Sequence, residues 1–339
     1  MSITQTDAAT GAVLGALVGD AAGAVLEFFS GEIGPADVEH ALTLPGGGVW
    51  RVAPGQVTDD GELTMSLLRA LVEHPREPTR AAAERYAAWV ASGPFDIGAT
   101  TARSLGCLRD PAWAARAAEV GVHVAMTEAA RERCMPSKAN GSLMRATPLA
   151  VWGATRTDEE LVALASADCR LSHPNPSCVD AVVAYVLAIA SLVRTPGDGA
   201  RAIEIARAWV RANACEEVRA WLDAALAREH VPFTPQDGFV RIAFTNGFRH
   251  LAEGTPYVAA LRETLAGGGD TDTNACIVGG LLGARDGADA LPHAMRAGVL
   301  GCDTGRGANP RPIELHPRDV PALVEALLVG AMKTLRSVP

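Results

Sequence analysis

The chain has 339 residues and a formal charge of −9, with 48% hydrophobic and 20% charged residues. That balance excludes a disordered chain, and without a Lys/Arg run no nucleic-acid-binding surface is expected. Seven cysteines without a CxxC pair, a start that lacks a charged leader, and a longest apolar run, 181–193, too short for a bilayer predict a reduced, cytoplasmic protein with no membrane segment.

Alanine-rich stretches with apolar residues three and four apart recur, and sustained alternation is hard to find, which predicts an all-α fold. Helices are expected over 8–26, 60–74, 79–92, 158–168, 177–194, 199–213, 215–228, 237–252, 257–265, 273–285 and 319–335. No composition shift divides the chain, so 1–339 reads as a single domain. The first helix carries Gly11, Gly15, Gly19 and Gly23 at four-residue spacing. Each interior glycine costs a helix roughly 1 kcal/mol relative to alanine, so close backbone approach by another element is expected to offset the loss. Glu27 continues the stripe and leaves this helix pointing at a site, unless it is an ordinary solvated helix-end acid.

Thr58-Asp59-Asp60 precedes Leu63, Leu67, Leu68 and Leu71, an apolar helical pattern. Taken alone the cluster fits a capping box, with Asp59 as N-cap and Glu62 three residues on. Asp96, after Pro94-Phe95, fits a turn. The Asn140-Gly141-Ser142 turn exposes backbone N–H groups that suit an anion, with Arg145 adding charge; an ordinary turn before a helix is the alternative. His173 lies outside any apolar stripe, as surface and capping histidines do. The Gly/Pro-rich segments 43–56 and 301–317 are expected to be loops.

Asp270, Asp272 and Thr273, after three glycines, repeat the layout of 58–60 before a second apolar helix. Capping needs one acceptor, so each cluster holds a surplus carboxylate. Should the two clusters converge, four carboxylates raise one another's proton affinity unless a cation neutralises them. All-oxygen donors without His or Cys suit Mg²⁺, Mn²⁺ or Ca²⁺ and disfavour zinc, and four carboxylates suffice for two ions. The DxDxT phosphoryl-transfer motif fits poorly because Asp270 follows no apolar strand, and DDxxD lacks its third aspartate.

Taken in order, GALVGDAAGAVLEF (15–28), TDDGELTM (58–65), GPFDIGATT (93–101), NGSLMRATPLA (140–150), LSHPNP (171–176) and GGGDTDTNACIVGGLLGA (267–284) resemble the ADP-ribosylglycohydrolase family, above all its bacterial dinitrogenase-reductase-activating members. The resemblance implies a compact orthogonal helical bundle. It also implies two Mg²⁺ (or Mn²⁺) ions on Thr58, Asp59, Asp60, Asp270, Asp272 and Thr273. Substrate contacts fall on Asn140, Gly141, Ser142, Met144 and His173, with Arg145 added from the turn's chemistry. The catalytic candidates are Glu27, Asp60 and Asp272, then Asp96. The implied reaction is hydrolysis of the bond between ADP-ribose and a modified side chain of a protein. An arginine N-linkage comes first, a serine O-linkage or O-acyl-ADP-ribose second. The rival readings are a non-catalytic ADP-ribose binder of the same family and an unrelated metal phosphohydrolase. Gly61 departs from the family, where many members carry threonine, which implies a weaker hold on one ion. Arg306, Arg311 and His316 in the unaligned 301–317 loop are candidates for shaping leaving-group specificity.

Overall fold

The structure, a computed structural model, describes residues 3–336. Seventeen α-helices, four three-residue 3-10 helices and two isolated bridges, with no strand, make up the regular structure among the described residues. In chain order the helices are α1 (Gln5–Gly23), α2 (Pro35–Ala41), α3 (Asp59–Glu73), α4 (Pro78–Ala91), α5 (Ala99–Leu105), α6 (Pro111–Val120), α7 (Val122–Cys134), α8 (Thr147–Gly153) and α9 (Asp158–Arg170). They continue with α10 (Pro176–Arg194), α11 (Gly199–Asn213), α12 (Glu216–Leu226), α13 (Val240–Glu253), α14 (Tyr257–Ala266), α15 (Thr271–Asp286), α16 (His293–Gly301) and α17 (Val320–Arg336). The all-α expectation holds, and every helix read from periodicity is present. Six more, α2, α5, α6, α7, α8 and α16, lie in segments for which no helix was expected.

The glycine stripe of α1 meets α15 directly, and the two run antiparallel. A Cβ on Gly11 would lie 2.2 Å from the Gly283 carbonyl oxygen, one on Gly15 2.4 Å from that of Gly279, and one on Gly19 2.1 Å from that of Ala275. The seam ends where a Cβ on Gly23 would stand 2.3 Å from the Asp272 Cα. Backbone contact along the whole stripe is what offsets the helix-propensity cost of the glycines. Two side-chain donors pin it: the Tyr257 hydroxyl donates to the Gly15 carbonyl at 2.8 Å, and the Thr271 hydroxyl to that of Gly23 at 2.7 Å. Thus the seam sets the end of α1, with Glu27 just beyond, against the start of α15.

A single large hydrophobic cluster joins α1, α3, α10 and α15 to the outer helices. Helix α10 is longer than the apolar run 181–193 and has the length and apolarity to cross a membrane, yet its neighbours bury nearly all of it. All seven cysteines are free.

Candidate active site

The starts of α3 and α15 come together. The Thr58 hydroxyl lies 3.2 Å from Asp272 Oδ2, and the Thr273 hydroxyl donates to Asp60 Oδ2 at 3.2 Å. One oxygen from each of Glu27, Asp270 and Asp272 falls within 4.8 Å of the others. The capping reading of the first cluster is corrected. Thr58, not Asp59, is the N-cap and makes no side-chain capping bond, while Glu62 turns away to Trp89 and Arg311. The capping work falls to Asp20 in α1, fully buried, which accepts from the Thr58 N–H at 3.0 Å, the Thr58 hydroxyl at 2.9 Å and the Gly61 N–H at 2.7 Å. Asp20 has no role in the sequence expectations, although a lone acid inside a buried glycine stripe was its signal.

Gly61 follows from the same arrangement. A Cβ there would stand 2.6 Å from Asp20 Oδ2 and 2.5 Å from the Val57 Cβ. The Cβ direction therefore leads to Asp20, so the glycine is what lets this carboxylate cap α3.

The donor chemistry fits hard divalent cations. The Thr58 hydroxyl has one hydrogen but carboxylate oxygens of Asp20, Asp60 and Asp272 within 3.3 Å, and Asp60 Oδ1 is buried without any partner. Crowding of this kind needs protons or positive ions. Without ions, burial pushes the Asp20 and Glu27 carboxyls up, to about 8 and about 7. Burial and then Asp270 push Asp59 to about 7, while burial, Asp59 and Glu27 push Asp96 to about 10. Asp60 and Asp272 move up as well, by burial first and then by neighbouring carboxylates.

The cluster closes one end of a cavity of about 440 Å³. Glu27, Asp59, Asp96, Asn140, Gly141, Met144, His173, Asp270, Asp272 and Thr273 line it, and among the described residues no lysine or arginine does. Thr58 and Asp60 sit behind this wall, fully buried. For Asp60 this is a correction: a carboxyl closed off from the cavity can hold an ion or a hydroxyl but cannot reach water there. Trp50, Thr101 and Asp237, which the sequence did not single out, also line the cavity; the Trp50 indole donates to Glu27 at 2.6 Å.

The 140–145 turn is anchored at both ends. Asn140 donates through its amide to Asp270 Oδ2 at 2.7 Å, and its backbone N–H to the Gly238 carbonyl at 2.9 Å. At Gly141 a Cβ would lie 2.9 Å from the Thr101 hydroxyl and 3.0 Å from His173 Cε1, so any side chain would fill the cavity. Two expectations for this turn are corrected. Ser142 lies behind the wall, where it accepts from the Cys169 thiol at 3.2 Å. Arg145 gives the cavity no charge, because it is fully buried with Asp168 at 3.3 Å and donates to the Gly141 carbonyl at 3.0 Å. Its work is to hold the turn from behind.

Arg145 also orders His173. It donates to the Ser172 hydroxyl at 2.9 Å, and that hydroxyl lies 2.8 Å from His173 Nδ1. The Ser172 hydrogen has no other acceptor, so it goes to Nδ1 and leaves Nε2–H as the donor in the cavity wall, buried without a partner. Burial, then Arg145, lowers the His173 pKa to about 3. In ¹⁵N NMR the ring should therefore report a neutral Nε2–H tautomer that stays unchanged from pH 5 to 8. A titration midpoint near 6.5 would contradict this.

The 301–317 loop does not deliver its charges to the cavity. Arg306 is exposed on Asp303, His316 Nδ1 accepts from the Arg318 N–H at 2.9 Å, and Arg311 is buried in a bidentate pair with Glu62 at 2.7 and 2.9 Å.

An all-α scaffold that buries a carboxylate cluster at the end of a cavity without cationic side chains is the framework of an acid-centred hydrolase. The family model described as ADP-ribosylglycohydrolase matches residues 1–329, and the chain belongs to that family. It is 28% identical over 288 residues to the ADP-ribosyl-(dinitrogen reductase) glycohydrolase of Rhodospirillum rubrum, covering 84% of this chain and 88% of that one. It is 34% identical over 106 residues to the ADP-ribosylarginine hydrolase Tri1 of Serratia proteamaculans, covering 29% of this chain and 28% of that one. A solved ADP-ribosylglycohydrolase-related protein complex contains a chain of the same fold, with a TM-score of 0.73 at 22% identity, covering 97% of this chain and 99% of that one.

Proposed function

We propose that this chain hydrolyses the N-glycosidic bond between ADP-ribose and an arginine side chain of a protein, working with two Mg²⁺ or Mn²⁺ ions. The observation that carries this is the crowding of Glu27, Asp59, Asp270 and Asp272 at one end of a cavity lined by no lysine or arginine. A departing guanidinium suits that acid-lined end, where Trp50 and the half-exposed Phe28, aromatic groups that can attract a cation, also line the cavity. Two of the relatives are named for dinitrogen reductase and for ADP-ribosylarginine, which points the same way. Seven free cysteines suit a reducing, cytoplasmic setting.

Thr58, Asp59, Asp60, Asp270, Asp272 and Thr273 would hold the ions, which when bound supply Lewis-acid polarisation and a counter-charge for the carboxylates. The Gly141 backbone N–H and the His173 Nε2–H present neutral donors to the diphosphate and ribose. Glu27, oriented by the Trp50 indole, takes a proton from the attacking water. Asp96, which without ions keeps its proton until about pH 10, faces the leaving nitrogen as its acid. Asp272 and the other cluster carboxylates balance oxocarbenium charge at the anomeric carbon.

The test is a panel of arginine-, serine- and acyl-linked ADP-ribose, each with Mg²⁺, with Mn²⁺ and with EDTA. ADP-ribose should leave the arginine substrate fastest, and only with metal. Binding without release would mark a non-catalytic relative, and turnover of simple phosphate esters a phosphohydrolase.

The ions should also be visible in stability. The raised carboxyls bind protons more tightly in the folded state, so their contribution is fully present below about pH 4 and declines as pH rises through about 7 to 8, where Glu27, Asp59 and Asp20 titrate. In EDTA the Tm should fall across that window. At pH 8, Mg²⁺ or Mn²⁺ at a hundred times its Kd should restore about 4 °C for a chain of this length, and much less at pH 5, where protons compete. Equal restoration at both pH values would contradict carboxylate ligation.

A further inference from the structure

We propose that residues 303–316 form a strap that positions, from outside the cavity, the loop that carries Trp50 (46–56) and the loop that carries Asp96 (92–98), through Asn309 and Arg311. The inference rests on the roles given above to Glu27 and Asp96. Asn309 grips the first loop: its side-chain amide donates to the Trp50 carbonyl at 2.5 Å, and its own carbonyl accepts from Gln56 Nε2 at 2.8 Å. Gln56 in turn accepts from the Ala53 N–H at 2.8 Å, which closes the turn below Trp50. Since the Trp50 indole holds Glu27, the backbone position of Trp50 fixes where that carboxylate points.

Arg311 grips the second loop. Its Nη1 donates to the Ser92 and Gly93 carbonyls at 3.2 and 3.1 Å, and its Nη2 to the Ser92 hydroxyl at 2.8 Å. Residues 92 and 93 lead straight into Pro94-Phe95-Asp96. The remaining donors form the bidentate pair with Glu62, two residues after Asp60 on α3. One guanidinium thus ties the Asp96 loop to the helix that starts in the acidic cluster. Its planar fork satisfies two carbonyls, a hydroxyl and a carboxylate together, which a lysine cannot reproduce. The strap is itself braced, by the Arg311 N–H donating to the Thr304 carbonyl at 2.6 Å and by Arg69 Nε donating to that of Glu314 at 2.7 Å. Neither Asn309 nor Arg311 lines the cavity, so both are positioning residues.

The test compares Asn309→Ala, Arg311→Ala and Arg311→Lys with the control Arg318→Ala, each checked for native circular dichroism. Hydrogen–deuterium exchange and metal-dependent turnover are read together. Asn309→Ala should speed exchange in 46–56 and leave 92–98 protected, whereas Arg311→Ala and Arg311→Lys should do the reverse. Displacing a catalytic group by about 1 Å costs on the order of 10²-fold, so kcat should fall roughly 10- to 100-fold in all three while KM moves far less. Millimolar methylguanidine should recover part of the kcat of Arg311→Ala, and nothing should change in Arg318→Ala. A lower Tm with kcat unaltered, or wild-type exchange in both loops, would overturn the proposal. If the wild-type chain released ADP-ribose from no substrate, the functional reading would fail, and exchange alone would decide whether the strap holds the loops.

Discussion

Replacing Asp272 by asparagine should lower metal-dependent ADP-ribose release by roughly 10³-fold, while the metal-free protein becomes more stable at neutral pH. The two effects share a cause. Asp272 is buried, and its carboxyl is pushed well above its usual range by that burial and then by Glu27, Asp60 and Asp270. In the unfolded chain it would ionise near pH 4 at little cost, so at pH 7 the folded state either pays for a buried charge or retains a proton. Asparagine keeps the shape and removes that burden. It also removes the negative charge from one of the three carboxylates that meet within 4.8 Å and replaces one of its oxygens by an amide nitrogen, which cannot ligate a hard cation. Turnover and a Tm in EDTA, measured on the same preparation, separate this from misfolding, which would lower both. Wild-type turnover would show that the cluster is not the reaction centre.

The acidic centre is legible in the sequence because one oddity occurs twice: surplus carboxylates at a helix start have no local use, so each cluster asks for the other. The glycine stripe is legible for the same reason, since its helix cost demands a contact. What stays hidden is direction across long separations. Asp20 finds its donors 38 and 41 residues on, and nothing in its own helix says that it caps another. Arg145 stands beside a turn suited to anions, but Asp168 and Tyr86, 23 and 59 residues away, draw its guanidinium to the opposite side. Helices α2, α5 and α8 have only seven residues, under two turns, so no period can be read from them. Helix α6 buries no residue fully, and of its apolar residues only Trp113, Ala117 and Val120 on one side are partly covered, a weak stripe among alanines, although a proline at its first position was a usable start signal.

Gly19→Ala should destabilise the fold by about 3 kcal/mol or more, against the usual gain of about 1 kcal/mol for glycine to alanine inside a helix. The new methyl would stand 2.1 Å from the Ala275 carbonyl oxygen and 2.5 Å from its carbon. Both are backbone atoms, so no side chain can swing aside; α1 and α15 must part over a seam whose backbones already touch. Gly23→Ala acts at the other end of that seam, where the methyl would meet the Asp272 Cα at 2.3 Å and the Thr271 carbonyl oxygen at 2.4 Å. Here one helix tip can yield without opening the core, and what moves is Asp272 relative to Glu27. Stability should fall less than in Gly19→Ala, but turnover should fall by on the order of 10²-fold and the stabilisation by Mg²⁺ should largely vanish. Gly301→Ala, at a position with nothing within 4 Å, should leave both unchanged. Denaturant unfolding and turnover of the three variants decide the matter: if Gly23→Ala kept full activity, the seam would hold the fold together without setting the distance between the catalytic carboxylates.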